Sequence, residues 1–171
     1  MISYILAIIS GFCLLGFDQY TKALVVSTFK PLETKNFINH VINFIYVQND
    51  GGAWNILGGH TWLLITFTAL IMVLCVIVLL KYGLKNKLFF WSIILVLFGG
   101  IGNMIDRIFR DGLVVDFLHF EFMPDFPVFN IADCGIVIGA GLLILYFIID
   151  IVNDYKTKNI TDKNDYEDGK S

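Results

Sequence analysis

The chain has 171 residues, of which 57% are hydrophobic and 16% charged, with a net charge of −3 and a mean hydropathy of +0.73. Soluble domains carry about 25% charged and about 45–50% apolar residues, so this composition excludes a disordered chain, a disulfide-rich secreted module and an ordinary soluble enzyme. It leaves no basic footprint for nucleic acid. The three cysteines, Cys13, Cys75 and Cys134, lie far apart inside apolar runs and read as small buried hydrophobes.

Four stretches match the roughly 30 Å of bilayer hydrocarbon that about 20 helical residues span. The first runs from Ile2 to Val26 and is read as a retained helix, with Asp18 and Lys22 in its second half. A loop, Ser27–Thr61, follows. In it Val41–Val47 has the β-branched and aromatic content of a strand, and Asn49-Asp50-Gly51-Gly52 supplies a turn signal before a short apolar piece, Ala53–Leu57. These predict a small sheet or hairpin on the membrane surface. The second span, Trp62–Leu80, has no charge. The linker Lys81–Lys87 carries three lysines and no acid, which makes it cytoplasmic by the positive-inside rule, and both termini with it.

The third span, Leu88–Ile105, ends in Gly99-Gly100-Ile101-Gly102-Asn103. The loop Asp106–Asn130 contains Pro124 and Pro127, which preclude a long helix there. The fourth span, Ile131–Ile149, has Asp133 in its opening turn, and its Gly135-Ile-Val-Ile-Gly139 stripe predicts close packing on the glycines of the third. The polar tail 153–171 is expected to be disordered and cytoplasmic, beyond a membrane domain of residues 1–152. The fold class expected is thus all-α integral membrane, with four transmembrane helices and a small extracytoplasmic sheet in the first outer loop.

Ionisable groups near apolar spans are costly and tend to be functional. Span order and the lysine linker place Asp18, Asp106, Asp116 and Asp133 at the same, outer end. Asp18 and Lys22, at i and i+4, are spaced for mutual neutralisation, and Asp106 for an ion pair with Arg110. Asn103 shares a helix face with Asp106, and Asn130 stands where it can cap the fourth span. Asp116, between Val115 and Phe117, is in an odd setting for a merely solvated acid. Two carboxylates held together share a proton, so one can activate water while the other protonates a scissile carbonyl. The helix dipole favours charge on Asp133, leaving Asp116 the more readily protonated partner. His40, His60 and His119 are isolated, and no metal is expected. A proton-conducting transporter would need acids at both leaflets, and an assembly subunit would leave the clustered aspartates unexplained.

Four blocks in order carry a family resemblance: Asp18-Gln-Tyr-Thr21-Lys22; Gln48-Asn49-Asp50-Gly51-Gly52-Ala53-Trp54; Gly99-Gly100-Ile-Gly102-Asn103-Met-Ile-Asp106-Arg107, continuing to Val114-Val115-Asp116-Phe117; and Phe126-Pro127-Val128-Phe129-Asn130-Ile131-Ala132-Asp133. The chain closely resembles the bacterial lipoprotein signal peptidases (signal peptidase II), departing from their commonest pattern at Gln48 and Gly52. The resemblance implies an intramembrane aspartic endopeptidase, without cofactor, that removes the signal peptide of prolipoproteins before a diacylglyceryl-modified cysteine. It implies a protein of the bacterial cytoplasmic membrane with the site at its outer face and membrane lipid as neighbour; with the complete set of site residues in one chain, a monomer is expected. The implied catalytic pair falls on Asp116 and Asp133. Supporting positions fall on Asp18, Lys22, Asn49, Gly51, Asn103, Asp106, Arg107 and Asn130. Trp54 is open between a substrate-clamping role and an interfacial anchor.

Overall fold

The third of the four long helices lies innermost. In the computed structural model, which describes residues 1–168 with side chains through 158, the helices are α1 (Ile2–Thr28), α2 (Thr61–Tyr82), α3 (Lys87–Phe109) and α4 (Ile131–Asp168). All four are long and apolar enough to cross a membrane, and 67% of the α3 span is buried against 6% of α2. α3 starts where Asn86 accepts from the Leu88 and Phe89 N–H groups, and ends at a tight turn through Asp111 and Gly112, both at positive φ. It thus extends to Phe109, so Asp106 and Arg107 belong to its last turns rather than to the following loop.

The glycine stripe packs as the sequence predicts. A Cβ on Gly139 would stand 2.7 Å from the Ser92 carbonyl, and one on Gly99 2.5 Å from that of Ala132, so α3 and α4 approach almost backbone to backbone. α1 closes on the other flank, where Ala7 packs with Phe90, Ile94 and Phe98.

A three-stranded antiparallel sheet, in the order β1 (Thr34–Ile38), β2 (Ile42–Asn49), β3 (Val114–Phe120), covers one end of the bundle. It departs from the sequence expectation twice. The Val41–Val47 segment is a strand, but its hairpin partner is the upstream, wholly exposed β1, joined through a turn in which the Val41 N–H donates to the Ile38 carbonyl. The Asn49–Gly52 segment instead leads into a short 3-10 turn, Ala53–Asn55. The third strand comes from the second long loop, so the sheet is not confined to the first. Val115 and Phe117 pack on Val25 and Tyr46, which joins the sheet to α1. No Pro or Gly interrupts 153–168, and α4 runs on as helix to Asp168; the end of the polar tail, 169–171, lies outside the described residues.

Replacing Gly139 by Ala drives a methyl group into backbone and is expected to cost about 1–3 kcal/mol of stability. Gly141→Ala, where a Cβ meets nothing within 4 Å, is expected to be neutral. Unfolding curves of the two variants in detergent check this pair.

Candidate active site

Lys22 is completely buried, a costly place for a charge unless every donor is used. Its Nζ lies 2.9 Å from Asp18 Oδ2, 3.0 Å from Asp106 Oδ2 and 3.0 Å from Asn103 Oδ1, so its three N–H bonds have three acceptors. Asp106, also fully buried, accepts in addition from Arg110 Nε at 3.2 Å and from the Val115 N–H at 3.1 Å, tying α3 to the start of β3. Asp18 uses its other oxygen to accept the Ala132 N–H at 2.8 Å, reaching from α1 to satisfy an orphan donor in the first turn of α4. Gly102 makes room for it: a Cβ there would stand 2.8 Å from Asp18 Oδ2. The i, i+4 and ion-pair readings of Asp18, Lys22, Asp106 and Arg110 thus describe one cluster.

At the α4 entry, Asn130 Oδ1 accepts the Asp133 N–H at 3.0 Å while Asp133 Oδ2 accepts the Asn130 N–H at 3.1 Å. This is a capping box with Asp in the acidic position. Asn130 is held at the entry because its neighbour Phe129 is bridged to Leu118 of β3, with N–H to carbonyl bonds of 2.8 and 3.0 Å. Its amide then donates 2.6 Å to Asp116 Oδ1, so one side chain touches both carboxyl groups. Asn103 Nδ2 donates 2.7 Å to Asp133 Oδ1.

Sheet register brings in the last partner. Asn49 pairs with Val114, so Asp116, two residues on, is its diagonal neighbour on the same face. Asn49 Nδ2 reaches Asp116 Oδ2 at 2.9 Å, and its Oδ1 accepts the Gly51 N–H at 2.9 Å. Arg107 Nη2 holds the Gly51 carbonyl at 2.9 Å. Each of the four carboxyl oxygens of Asp116 and Asp133 therefore accepts an N–H.

The pair borders a cavity of about 660 Å³ whose walls are otherwise largely apolar, including Phe120, Phe126 and Ile136. Trp54 lies at its rim, 65% exposed, its ring edge-on to Phe126 with centroids 6.0 Å apart. Trp54, Asn55 and Leu57 all hold positive φ, a strained run for residues with side chains. Asp116 lies in β3, outside the spanning helices. There, burial pushes its carboxyl from an ordinary 3.8 up to about 7; the charge of Asp133 adds to the rise, and the Asn49 and Asn130 donors oppose it.

All eleven candidate residues fall in this region: Asp18, Lys22, Asn103, Asp106, Asn130, Asp116 and Asp133 in one bonded network, Asn49, Gly51 and Arg107 along its edge, and Trp54 at the rim. Gln19 was missed as a contributor. Its Nε2 lies between Asp18 Oδ2, the Gly102 carbonyl and Asp106 Oδ1 at 3.0–3.3 Å, and its place beside Asp18 in an apolar helix was the available signal. Gln48, by contrast, donates to the Tyr46 hydroxyl at 3.1 Å.

The fold and this polar end define a multi-pass membrane protein with a pair of hydrogen-bonded carboxyl groups at one end of its helices. The family model described as signal peptidase (SPase) II matches residues 10–149. Lipoprotein signal peptidases of Halalkalibacterium halodurans and Bacillus pumilus are 37% and 38% identical, over 93% and 94% of this chain and 99% of each relative. That of Enterococcus faecalis is 37% identical over 80% of this chain and 84% of its own length. A bacterial membrane enzyme solved by the in meso method at 2.3 Å resolution superposes with a TM-score of 0.75 at 34% identity, covering 86% of this chain and 90% of that one. The chain belongs to the signal peptidase II family, and is thereby a protease of the bacterial membrane.

The raised Asp116 carboxyl has a consequence for stability. An unfolded chain gives up this proton near 3.8 and the folded one near 7, so the stabilisation present at low pH is lost as pH rises through about 7. Asp116→Asn keeps a neutral side chain throughout. Its gain in melting temperature over the unsubstituted protein is expected to be larger at about pH 8 than at about pH 5. An equal gain at both would place the proton elsewhere.

Proposed function

We propose that the protein is an aspartic endopeptidase that removes the signal peptide from prolipoproteins before a diacylglyceryl-modified cysteine, with Asp116 and Asp133 as its catalytic pair. The observation that carries this reading is Asn130 bonded to both carboxyl groups at the wall of a single apolar cavity. With N–H donors already on every oxygen, a shared proton takes a remaining lone pair, facing the other acid or the cavity.

Asp133, whose carboxylate the capping box and helix dipole favour, takes a proton from water. The hydroxide so formed adds to the scissile carbonyl carbon as Asp116 donates its proton to the carbonyl oxygen. Asp133 then passes a proton to the leaving nitrogen, the C–N bond breaks, and Asp116 recovers a proton from the gem-diol oxygen. No covalent enzyme intermediate is needed. Asp18, Lys22, Asn103, Asp106 and Asn130 hold the pair, while Asn49, Gly51 and Arg107 set the edge of the cavity, and Trp54 clamps the substrate from its strained loop.

Orientation follows from Lys81, Lys85 and Lys87, which keep the α2–α3 linker and both termini cytoplasmic. The sheet and the pair then stand at the outer face, where an apolar signal peptide and its lipid meet them. Val137 and Ile138 line the cavity yet are 69% and 56% exposed, which supports a lateral path from surrounding lipid. One chain carries the full set of groups, so a monomer suffices.

Purified protein in lipid, with a chelator present, is expected to cleave a diacylglyceryl-modified prolipoprotein and spare its unlipidated counterpart on a gel. Asp116→Asn and Asp133→Asn are each expected to lower turnover by about 10²–10⁴-fold with the lipidated substrate still bound. Cleavage that survives both substitutions overturns the assignment of the pair.

A further inference from the structure

The two ends of an asparagine amide have the same shape and opposite hydrogen-bond sense, so whichever neighbour can only donate decides which way the amide faces. Three asparagines touch the acid pair, and each is oriented in this way. Asn49 Oδ1 faces the Gly51 N–H, Asn130 Oδ1 faces the Asp133 N–H, and Asn103 Oδ1 faces Lys22 Nζ. The first two orienting groups are backbone, beyond the reach of substitution. The third is a side chain from a different helix, with no contact to either Asp116 or Asp133 among its short bonds.

We infer that Lys22 is a positioning residue for the reaction: by donating to Asn103 Oδ1 it turns the Asn103 amide so that Nδ2 faces Asp133. The inference rests on Asp116 and Asp133 being the reacting pair. A reversed Asn103 would set an oxygen 2.7 Å from Asp133 Oδ1, repelling the carboxylate that serves as base. It would also turn its amino group on Lys22 and on Asn130 Nδ2, two donors that now share Asn103 Oδ1 at 3.0 and 3.1 Å. The Asn130 bond to Asp116 is coupled to that same contact, so the sense of one amide reaches both acids. Lys22 is held for the task by Asp18 and Asp106, and Arg110 balances the second acid.

Simple removal of Lys22 strands two buried acids, so the test keeps the charges even. Lys22→Met with Asp18→Asn removes one charge of each sign, and Lys22→Gln with Asp18→Asn does the same but retains an N–H donor at position 22. Both pairs are made in the otherwise unaltered chain and in an Asn103→Ala background, with kcat and KM measured on a diacylglyceryl-modified prolipoprotein and folding followed by thermal melting. The Met pair is expected to lower kcat about tenfold or more with KM within about threefold, and the Gln pair to recover most of that loss. In the Asn103→Ala background the Met pair is expected to cost less than about threefold, since its effect runs through Asn103. Equal losses for the Met and Gln pairs, or the same fold-loss in both backgrounds, overturn the inference. If the Met pair does not fold, the Gln pair decides alone: a loss of about a hundredfold in kcat from a folded protein overturns it. Asp116→Asn serves as the control for the underlying reading. Cleavage that survives it removes the reacting pair, whereas its loss beside an additive cycle removes only the role of Lys22.

Discussion

A single buried ammonium group organises the polar end of this protein. Lys22 Nζ, with no solvent contact, has Asp18, Asp106 and Asn103 as its partners, and each of them is the start of a different connection. Through Asp18 it reaches the first turn of α4; through Asp106, the first residues of β3; through Asn103, the Asp133 carboxyl. An intramembrane charge costs several kcal/mol on insertion scales when alone, and breaking a buried ion pair costs about 3–5 kcal/mol. Stability alone is a weak reason for such a cluster, because apolar replacements of similar size often do as well. What the cluster supplies is a fixed relation among α1, α3, β3 and α4.

The two acids that this frame presents are not equivalent. Asp133 sits in a helix N-terminus, where its own capping box and the peptide dipoles surround it with donors. Asp116 comes from a strand buried along Val114–Phe117, and its neighbours on either side pack against Val25 and Tyr46. Strand alternation sends Val115 and Phe117 inward and turns Val114 and Asp116 to the cavity. Burial is thus the dominant influence on Asp116, and a carboxyl held near 7 can give or keep a proton at physiological pH. A strand and a helix start produce different environments from the same residue type, which is the division of labour an acid–base pair requires.

Much of this was legible in the sequence because a membrane chain leaves few places for polar residues. Four apolar runs set the helices, and the lysine linker with span order grouped Asp18, Asp106, Asp116 and Asp133 at one end. The glycine stripe foretold the α3–α4 contact. Strand partners were harder. Thr34–Ile38 is short, polar and exposed throughout, so nothing in its pattern marks it as a strand; it is ordered by pairing with β2. Val114–Phe120 has a strand composition, but its partner lies about two helices away in sequence, and local patterning carries no information on that pairing. Gln19 escaped notice for a related reason. One polar side chain beside another in an apolar helix could face lipid, and only the crossing of α1 with α3 shows the Gly102 carbonyl and Asp106 within its reach.

The same crossing explains why the site is at an end of the bundle and not at its middle. Asp18 and Lys22 lie in the second half of α1, and Asn103 and Asp106 in the last third of α3, so an antiparallel α4 entering at that level offers its N-terminal N–H groups there. A helix start supplies free donors, and Asp18, Asn130 and Asp133 all use them. Deeper in α4 the backbone donors are spent within the helix, and an acid there would have only side chains to balance it. A sheet laid across this end adds the second acid and excludes water from one side, while the exposed apolar residues Val137 and Ile138 keep the other side of the cavity continuous with the outer surface of α4. A buried carboxyl pair, donor supply and access along an apolar face are therefore met together where α4 begins.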